Sequence, residues 1–367
     1  MTQGRTRGEL DDGGDDVTPE PFLPMPALPP HWSARVPESA DLPRLEELRS
    51  RDKAPWTGSG RVDGLAVESE VIGTKSWTRR QVVVLDPDGL IRAWVTVHDR
   101  AAGRTMLHVY VDRSAAVPTD LGDELAAALY AWAEDRARDM SRLREIDETR
   151  LDASPFQEDQ RQLGWLTAAG YRRRRVWLHM TRPVQADEEL PPLREGVAVR
   201  RVASHDNGLP VAGDLQIVHE MLERSFEDHF NSYRESFPEF VQRLREDPGH
   251  RWDHWWLAFV TDADGEEYPA GAIVCSVQPP NDAGKEGSYV EYIGVNRLAR
   301  GRGVAKGLLH TVIADAAARG RDRVDLEVDA DSPTNADQLY RSLGWELEYV
   351  TESWFKDIQV EPGQPSA

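Results

Sequence analysis

The sequence predicts a mixed α/β fold made of two tandem copies of one strand-and-helix unit. The chain has 367 residues, which is enough for two ordinary domains. Short apolar runs with the period of strands alternate with amphipathic runs with the period of helices. Three pairs of segments in the two halves match in pattern and order: 91–97 with 270–277, 106–111 with 290–295, and 165–171 with 339–345.

Each half contains enough elements for a mixed sheet flanked by helices. In the first half we expect strands at 70–73, 81–85, 91–97, 106–111 and 176–180, and helices at 121–138 and 155–169. In the second half we expect strands at 197–202, 255–261, 271–277, 288–295 and 323–329, and helices at 211–226, 237–247 and 306–319. A short last helix carries Leu339 and Tyr340 and ends at Gly344.

Composition shifts mark the boundaries of these units. Residues 1–30 are rich in Asp, Gly and Pro, so we expect a disordered leader that contributes nothing to a core. An acidic segment with prolines is expected to be a linker. The predicted organisation is a leader at 1–30, a first unit at 31–184, a linker at 185–194, a second unit at 195–358 and a disordered tail at 359–367.

Charge and apolar content restrict the class of protein. The net charge of −20 argues against a nucleic-acid binder, since phosphate neutralisation requires a basic face. No apolar run approaches the length of a membrane span, and the N-terminus lacks a secretion signal pattern, so we expect a cytoplasmic protein. The single cysteine, Cys275, lies in an apolar strand, which predicts a packed thiol and excludes a multi-cysteine metal site.

A glycine-rich loop, Arg300-Gly-Arg-Gly-Val-Ala305, connects a strand to a helix in the second half. Free N–H groups at a helix start bind anions, and Gly301 and Gly303 would let a phosphate approach the backbone closely. The loop lacks the Gly-Lys-Ser/Thr ending of a Walker loop, and Lys306 occupies the third glycine position of a dinucleotide fingerprint. The alternative is a helix start that binds no ligand.

The loop reads Arg-x-x-Gly-x-Ala on Arg300, Gly303 and Ala305, and a Leu-Tyr-x-x-Leu-Gly-aromatic segment follows at 339–345. This ordered set resembles the acyl-CoA-binding core of the GNAT N-acetyltransferases. The resemblance implies two tandem GNAT acyl-CoA N-acyltransferase domains, similar to the mycothiol-synthase-like proteins of actinobacteria.

The first copy is expected to be degenerate, a scaffold that has kept the fold and lost catalysis. Its loop after Val111 has neither the glycines nor the arginine pair. In addition, Leu166 stands in place of Tyr340, and Leu107 stands in place of Glu291.

The resemblance implies acetyl-CoA as co-substrate and identifies the residues that would hold it. The strand before the loop would pair with pantetheine through its backbone, and the loop would bind the diphosphate. The implied residues are Ile293, Gly294, Val295, Arg300, Gly301, Arg302, Gly303, Val304, Ala305, Lys306 and Asn335. The side chains of Arg302 and Lys306 either contact phosphate or are solvated. Asn335 or Ser332 would replace an asparagine that the family often has where this chain has Pro333.

Tyr340 is the candidate general acid. The resemblance places a tyrosine at this position, and a phenol with a pKa of about 10 can protonate a departing thiolate. The alternative is a tyrosine that only packs in the core.

Glu291 is the candidate general base. It lies in an otherwise apolar strand, and the period of two places it on the face of Ile293 and Val295. Burial there would raise its pKa and let it accept a proton from an ammonium group. The alternatives are that Glu291 only binds a cationic substrate or is solvated, and Glu327 and Asp329 are rival bases.

The two helices after Val202 would form a lid on the acceptor side. Phe226, Asp228 and His229 lie at their junction and are the candidate substrate-binding residues; the alternative is a capping Asp and a surface His. A pair of histidines among tryptophans, at 250 and 254, indicates aromatic packing ahead of a metal site, so no metal is expected.

These features predict an acetyl-CoA-dependent N-acetyltransferase that acts on a primary amine of a small molecule by direct transfer in a ternary complex. The alternative is a catalytically inactive CoA-binding or protein-interaction module. The expected partner is the amine, with neither nucleic acid nor membrane, and the chain would be a monomer or a homodimer. An acidic protein favours a cationic substrate, although solubility explains the charge equally well.

Overall fold

The structure, a computed structural model, describes residues 23–100, 104–225, 235–332 and 335–360. The first unit contains β1 Ser33–Arg35, α1 Leu42–Thr57, α2 Gly64–Val71, β2 Arg79–Leu85, β3 Ile91–Arg100, β4 Arg104–Val111, α3 Thr119–Leu143, β5 Glu148–Ala153, α4 Gln160–Ala168 and β6 Arg172–Pro183. The second contains β7 Val197–Arg201, α5 Ala212–Ser225, α6 Phe237–Arg245, β8 His250–Thr261, β9 Glu267–Gln278, β10 Gly287–Val295, α7 Val304–Ala318, β11 Arg323–Asp329, α8 Ala336–Ser342 and β12 Glu346–Gln359. The two units have the same order of elements, which confirms the predicted tandem α/β architecture.

The strands form one continuous mixed sheet rather than two separate ones. Its order is β1-β2-β3-β4-β5-β12-β6-β11-β10-β9-β8-β7. The last strands of the two units change places: β6 pairs with β11 of the second unit, and β12 pairs with β5 of the first. The exchanged strands also pair with each other. Each unit is therefore completed by a strand from the other.

Helices cover both faces of this sheet. Buried apolar side chains of α3 pack on one face of the first unit, and those of α1 and α2 pack on the opposite face. In the second unit, α7 and α8 cover one face, and α5 and α6 cover the other. The helices of the two units meet directly after α2 and α6, where Lys75 Nζ lies 3.3 Å from Asp247 Oδ2 and Ser69 Oγ donates to the Glu246 carbonyl. This contact joins the two units on the face of the sheet that α2 and α6 cover.

One predicted strand, 70–73, is wrong. Val67 and Val71 are spaced four residues apart and are both buried, because α2 turns one face toward Leu45 and Leu48 of α1. The Asp63 side chain caps this helix by accepting from the Leu65 N–H. Helix α1 and strands β1, β5 and β12 were not predicted.

The predicted leader and tail both extend too far into the fold. Leu23, Met25 and Leu28 pack against the α3 core, so the end of the 1–30 segment does contribute to a core. The Trp132 indole also donates to the Pro24 carbonyl at 2.6 Å. At the other end, strand pairing continues to Gln359, which lies opposite Glu148.

Among the helices within the described residues, none combines the length and the apolar character that crossing a bilayer would need.

We expect the two units to fold only together. A fragment of residues 195–360 lacks β6, so β11 and β12 lose the strand that lies between them, and a fragment of residues 23–184 lacks β12. Neither fragment alone should show a cooperative thermal transition by circular dichroism, whereas co-expression should restore one. A separately expressed 195–360 fragment that melts cooperatively at the temperature of the full chain would contradict this.

Candidate active site

The strands β10 and β11 separate halfway along their length. They pair in parallel from Ser288–Val324 to Val290–Leu326, but β10 runs on to Val295 and β11 to Asp329. Beyond that point β10 pairs only with β9, and β11 pairs only with β6. The result is a wedge-shaped gap in the middle of the sheet.

Two backbone N–H groups of β10 point into this gap. The Asn296 N–H donates to Ala270 of the β9 side at 2.8 Å. Because N–H directions alternate along a strand, Gly294 also faces β9, whereas Ile293 and Val295 face the gap. Their N–H groups have the position expected for pairing with an extended ligand.

The glycine-rich loop follows directly at the end of the gap. Gly301 and Gly303 adopt φ values of 78° and 88°, in the left-handed region that favours glycine. The helix α7 starts at Val304, and no side chain caps it. Within the described residues, five N–H groups of this loop and helix start have no backbone acceptor. They are those of Gly301, Gly303, Val304, Ala305 and Lys306. Such a set of free N–H groups at the positive end of a helix dipole fits an anion.

Arginine side chains surround the loop in an arrangement that the sequence did not indicate. Arg194, from the predicted linker, donates to the Gly301 carbonyl at 3.0 Å and lies over Gly303, where an added Cβ would be 2.7 Å from its Cδ. Arg302 is half-buried, and its guanidinium donates to the Thr261 carbonyl at 2.8 Å. Lys306 is exposed. Arg194 was missed because nothing in the linker sequence relates it to a loop more than a hundred residues away.

A β-bulge in β10 determines where Glu291 points. The register with β9 shifts between Val290, which faces Cys275, and Tyr292, which faces Val274, so Glu291 is the extra residue. Val290 and Ile293 pack in the α7 core, but Tyr292 packs with α5 and α6. The expectation that Glu291 shares a face with Ile293 and Val295 is therefore wrong, because the bulge breaks the period of two.

Glu291 faces a cavity on the α6 side of the sheet. The cavity has a volume of about 170 Å³ and is lined by Glu291, Ser276 and residues of both units. Burial raises the pKa of Glu291, and the Ser276 hydroxyl, which donates to Oε1 at 2.7 Å, opposes this by stabilising the carboxylate.

The two rival carboxylates have different surroundings. Burial, together with the charge of Glu291, raises the pKa of Glu327 to about 7, although its side chain keeps 32% of its surface exposed. His179 Nε2 lies 3.2 Å from Glu327 Oε2. Asp329 instead accepts from the Asp331 N–H at 2.9 Å and pairs with Arg175, which indicates a structural role.

Tyr340 lies on the opposite side of the sheet from the cavity. It is 7% exposed in the α7 core, with its ring 5.9 Å from the Trp345 ring. Burial raises its pKa to about 12, so the phenol keeps its proton at neutral pH. The structure does not bring Tyr340 and Glu291 into contact; the gap between β10 and β11 lies between their two faces.

The remaining candidates lie at the edge of the site or outside the described residues. Asn335 is exposed and precedes α8 with a φ of 49°. The predicted substrate-binding residues, Phe226, Asp228 and His229, lie outside the described residues, as does Pro333. His250 packs edge-on against Trp252 with ring centroids 4.4 Å apart, in agreement with the predicted aromatic packing.

In the first unit, an ion-pair network lies at the place that corresponds to the glycine-rich loop. Strands β4 and β5 also separate after Met106–Asp152. At the end of β4, however, the Arg113 guanidinium binds Asp159 and lies 2.8 Å from Asp52 Oδ1. The positions that would hold a diphosphate are thus occupied by an internal ion-pair network, which supports the prediction of a degenerate copy.

The comparison of Leu107 with Glu291 needs a correction. The β3–β4 register has no shift, and Leu107 packs in the α3 core as Val290 packs in the α7 core. Glu291 is therefore an insertion that creates the bulge, and the first unit has no residue at that place. Leu166 does correspond to Tyr340, since each is followed four residues later by a glycine with positive φ, Gly170 or Gly344.

Comparisons with known proteins agree with this geometry. Residues 218–345, all of them in the second unit, match the model of the Acetyltransferase (GNAT) family. A protein from Methanocaldococcus jannaschii, named as an uncharacterized N-acetyltransferase, is 27% identical over 149 residues. That match covers 38% of this chain and 62% of the relative, so it spans less than two thirds of the relative's length.

Solved structures extend the likeness to nearly the whole chain. A GCN5-related N-acetyltransferase from Sphaerobacter thermophilus superimposes with a TM-score of 0.69 at 25% identity, over 91% of this chain and 98% of that one. A tandem GNAT protein from the clavulanic acid biosynthesis pathway has a TM-score of 0.61 at 13% identity, over 92% of this chain and 100% of that one. The second likeness concerns the fold alone, and it agrees with the tandem arrangement.

Proposed function

We propose that this chain is an acetyl-CoA-dependent N-acetyltransferase that transfers an acetyl group directly to the primary amine of a small molecule. The observation that carries the proposal is the gap between β10 and β11. It runs from the free N–H groups of the loop to the cavity that contains Glu291. A mycothiol-synthase-like type, a cytoplasmic location and a monomeric or homodimeric state stay predictions.

In this proposal the loop and the gap hold acetyl-CoA. The N–H groups from Gly301 to Lys306 would bind the diphosphate, and Arg194 would add a positive charge beside it. The N–H groups of Ile293 and Val295 would pair with the pantetheine arm and stabilise negative charge on the thioester oxygen. Those N–H groups are fixed by the strand before any ligand binds, so binding requires little reorganisation.

Glu291 and Tyr340 would move the two protons of the reaction. Glu291 would take a proton from the ammonium group, so that the amine nitrogen can attack the thioester carbon. Tyr340 would donate its proton to the sulfur as the carbon–sulfur bond breaks, and the second proton that the nitrogen loses as the amide forms would restore the phenol. Cys275 is 1% exposed and burial raises its thiol pKa well above the ordinary value, which favours direct transfer over an acetylated cysteine.

We expect Gly303→Ala to weaken binding of acetyl-CoA roughly tenfold or more, because the new Cβ would strain the loop and push Arg194 away. Gly320→Ala is the matched control. Gly320 also has a positive φ, 71°, at the far end of α7, but no atom lies within 4 Å of an added Cβ. Both variants should lose roughly 1 kcal/mol of unfolding free energy. Calorimetry that gives equal affinities for the two variants would argue against the loop as the binding site.

Replacement of Tyr340 by Phe should lower turnover roughly tenfold or more and leave binding of CoA nearly unchanged, since only the proton donor is removed. Tyr171→Phe serves as a control in the first unit, because that buried hydroxyl has no partner among the described residues. Turnover is measured by release of free CoA thiol with a panel of amines. If Tyr340→Phe matched the parent rate at every pH, Tyr340 would have no part in the reaction.

Glu291→Gln should lower kcat/KM about 100-fold, as expected for loss of a general base. In the parent enzyme, kcat/KM should fall as the pH drops through the raised pKa of Glu291, since only the carboxylate accepts a proton. Ser276→Ala removes a donor that favours the carboxylate, so it should move this fall to higher pH. Glu327→Gln should retain most of the parent kcat/KM. If Glu327→Gln lost more kcat/KM than Glu291→Gln, Glu327 would be identified as the base.

A further inference from the structure

The cavity beside Glu291 is walled by both units. On one side lie Ser276 and Glu291 of the second unit, and on the other lie Arg79, His98 and Arg100 of the first. All three first-unit residues belong to β2 and β3, on the face that α2 covers nearby. The unit that lacks a CoA loop thus forms half of the chamber in which an acceptor would meet the proposed base.

Two of the cavity's four cations are neutralised by neighbouring carboxylates. Lys75 pairs with Asp247 at 3.3 Å. Arg243 donates twice to Glu235, at 2.8 and 2.7 Å. Neither of these side chains is available to balance a negative charge on a ligand without losing its partner.

Arg79 and Arg100 have no such partner within the described residues. The Arg79 guanidinium donates to the Lys75 carbonyl at 2.5 Å and lies 3.3 Å from His98 Nδ1. Arg100 forms no ion pair or side-chain hydrogen bond with another described residue, although it is half-buried. Carboxylates act on the two guanidinium groups only through longer-range charge interactions, from Glu70 and Glu246 on Arg79 and from Glu235 on Arg100.

The histidines of the wall do not supply the missing negative charge or add a positive one. Burial and the nearby arginines lower the pKa of His98 to about 2, and burial lowers the pKa values of His108 and His250 to about 4. All three rings are therefore neutral at physiological pH. Burial also lowers the pKa of both arginines, which marks the cost of holding two guanidinium groups away from water without a directly bonded carboxylate.

We propose that the acceptor amine carries an oxyanion, a carboxylate or a phosphate, which binds to Arg79 and Arg100 while its amino group faces Glu291. This inference rests on the proposed acetyltransferase function and specifies its substrate class. A guanidinium presents two parallel N–H donors that match the oxygens of either anion. Because the two arginines come from the first unit, that unit acts as the acceptor-recognition domain of the enzyme.

The inference is tested by comparing amines that differ only in the anion. The pairs are β-alanine against propylamine and phosphoethanolamine against ethanolamine, assayed by thiol release from acetyl-CoA. At least one anionic member should be used with a kcat/KM roughly tenfold or more above that of its neutral partner. The pair that shows the preference distinguishes carboxylate from phosphate. Equal use of both members of both pairs would overturn the inference.

Arg79→Gln and Arg100→Gln should each raise the KM for the preferred anionic amine roughly tenfold. The KM for its neutral partner should not change with either substitution. Arg80→Gln is the matched control, because Arg80 neighbours Arg79 but lies opposite Val97, on the face of the α3 core. Circular dichroism would verify that each variant folds. Unchanged KM values in Arg100→Gln would overturn the assignment even if Arg79→Gln were unstable.

Anion binding separates this inference from the proposed function. Succinate and inorganic phosphate are titrated calorimetrically into the protein saturated with CoA, so that the glycine loop is already filled. Weaker binding in Arg100→Gln but not in Arg80→Gln supports the anion site, even if no amine is acetylated and the proposed function fails. Acetylation of neutral amines alone, with no anion binding that depends on Arg100, supports the function and overturns the anion site.

Discussion

The pairing of β6 with β11 is the interaction on which the rest of this structure depends. It inserts a strand of the first unit into the sheet of the second, and the return of β12 beside β5 closes the exchange. Because the sheet is continuous, the α2 end of the first unit is held against α6 of the second. That contact encloses the cavity beside Glu291, which neither unit could form alone.

Within the second unit, three local features interrupt the regular pairing of the backbone. Separation of β10 from β11 leaves the N–H groups of Ile293 and Val295 without partners, which is costly unless a ligand or water satisfies them. The bulge at Glu291 moves its carboxylate to the α6 face of the sheet, and the positive φ of Gly303 exposes the start of α7. Together they place the free N–H groups of the loop, the gap and the Glu291 carboxylate along one path. Four cationic and three acidic side chains line the cavity at its end, in a chain whose net charge is −20.

The sequence by itself determined the features that depend on local pattern. The strand–loop–helix around Gly301 and Gly303 could be predicted because backbone conformation and helix capping involve only near neighbours. The correspondence of Leu166 with Tyr340 could be found because each precedes the same kind of turn. That turn needs a glycine with positive φ four residues later, Gly170 or Gly344. The tandem α/β fold followed from the period of apolar residues, and the packed state of Cys275 followed from its apolar strand.

Only the tertiary structure decided the features that depend on which distant strands meet. Strand exchange leaves no pattern in the local sequence. The apolar residues of β6 would be the same whether it paired with strands of the first unit or of the second. The bulge at Glu291 becomes visible only against the register of β9, and it reversed the face predicted from a period of two. Tertiary contacts between residues more than a hundred positions apart bring Arg194 to the loop. Contacts of the same kind bring Arg79 and Arg100 to the cavity. Long-range pairing, rather than local propensity, therefore shapes the loop surroundings and the cavity beside Glu291.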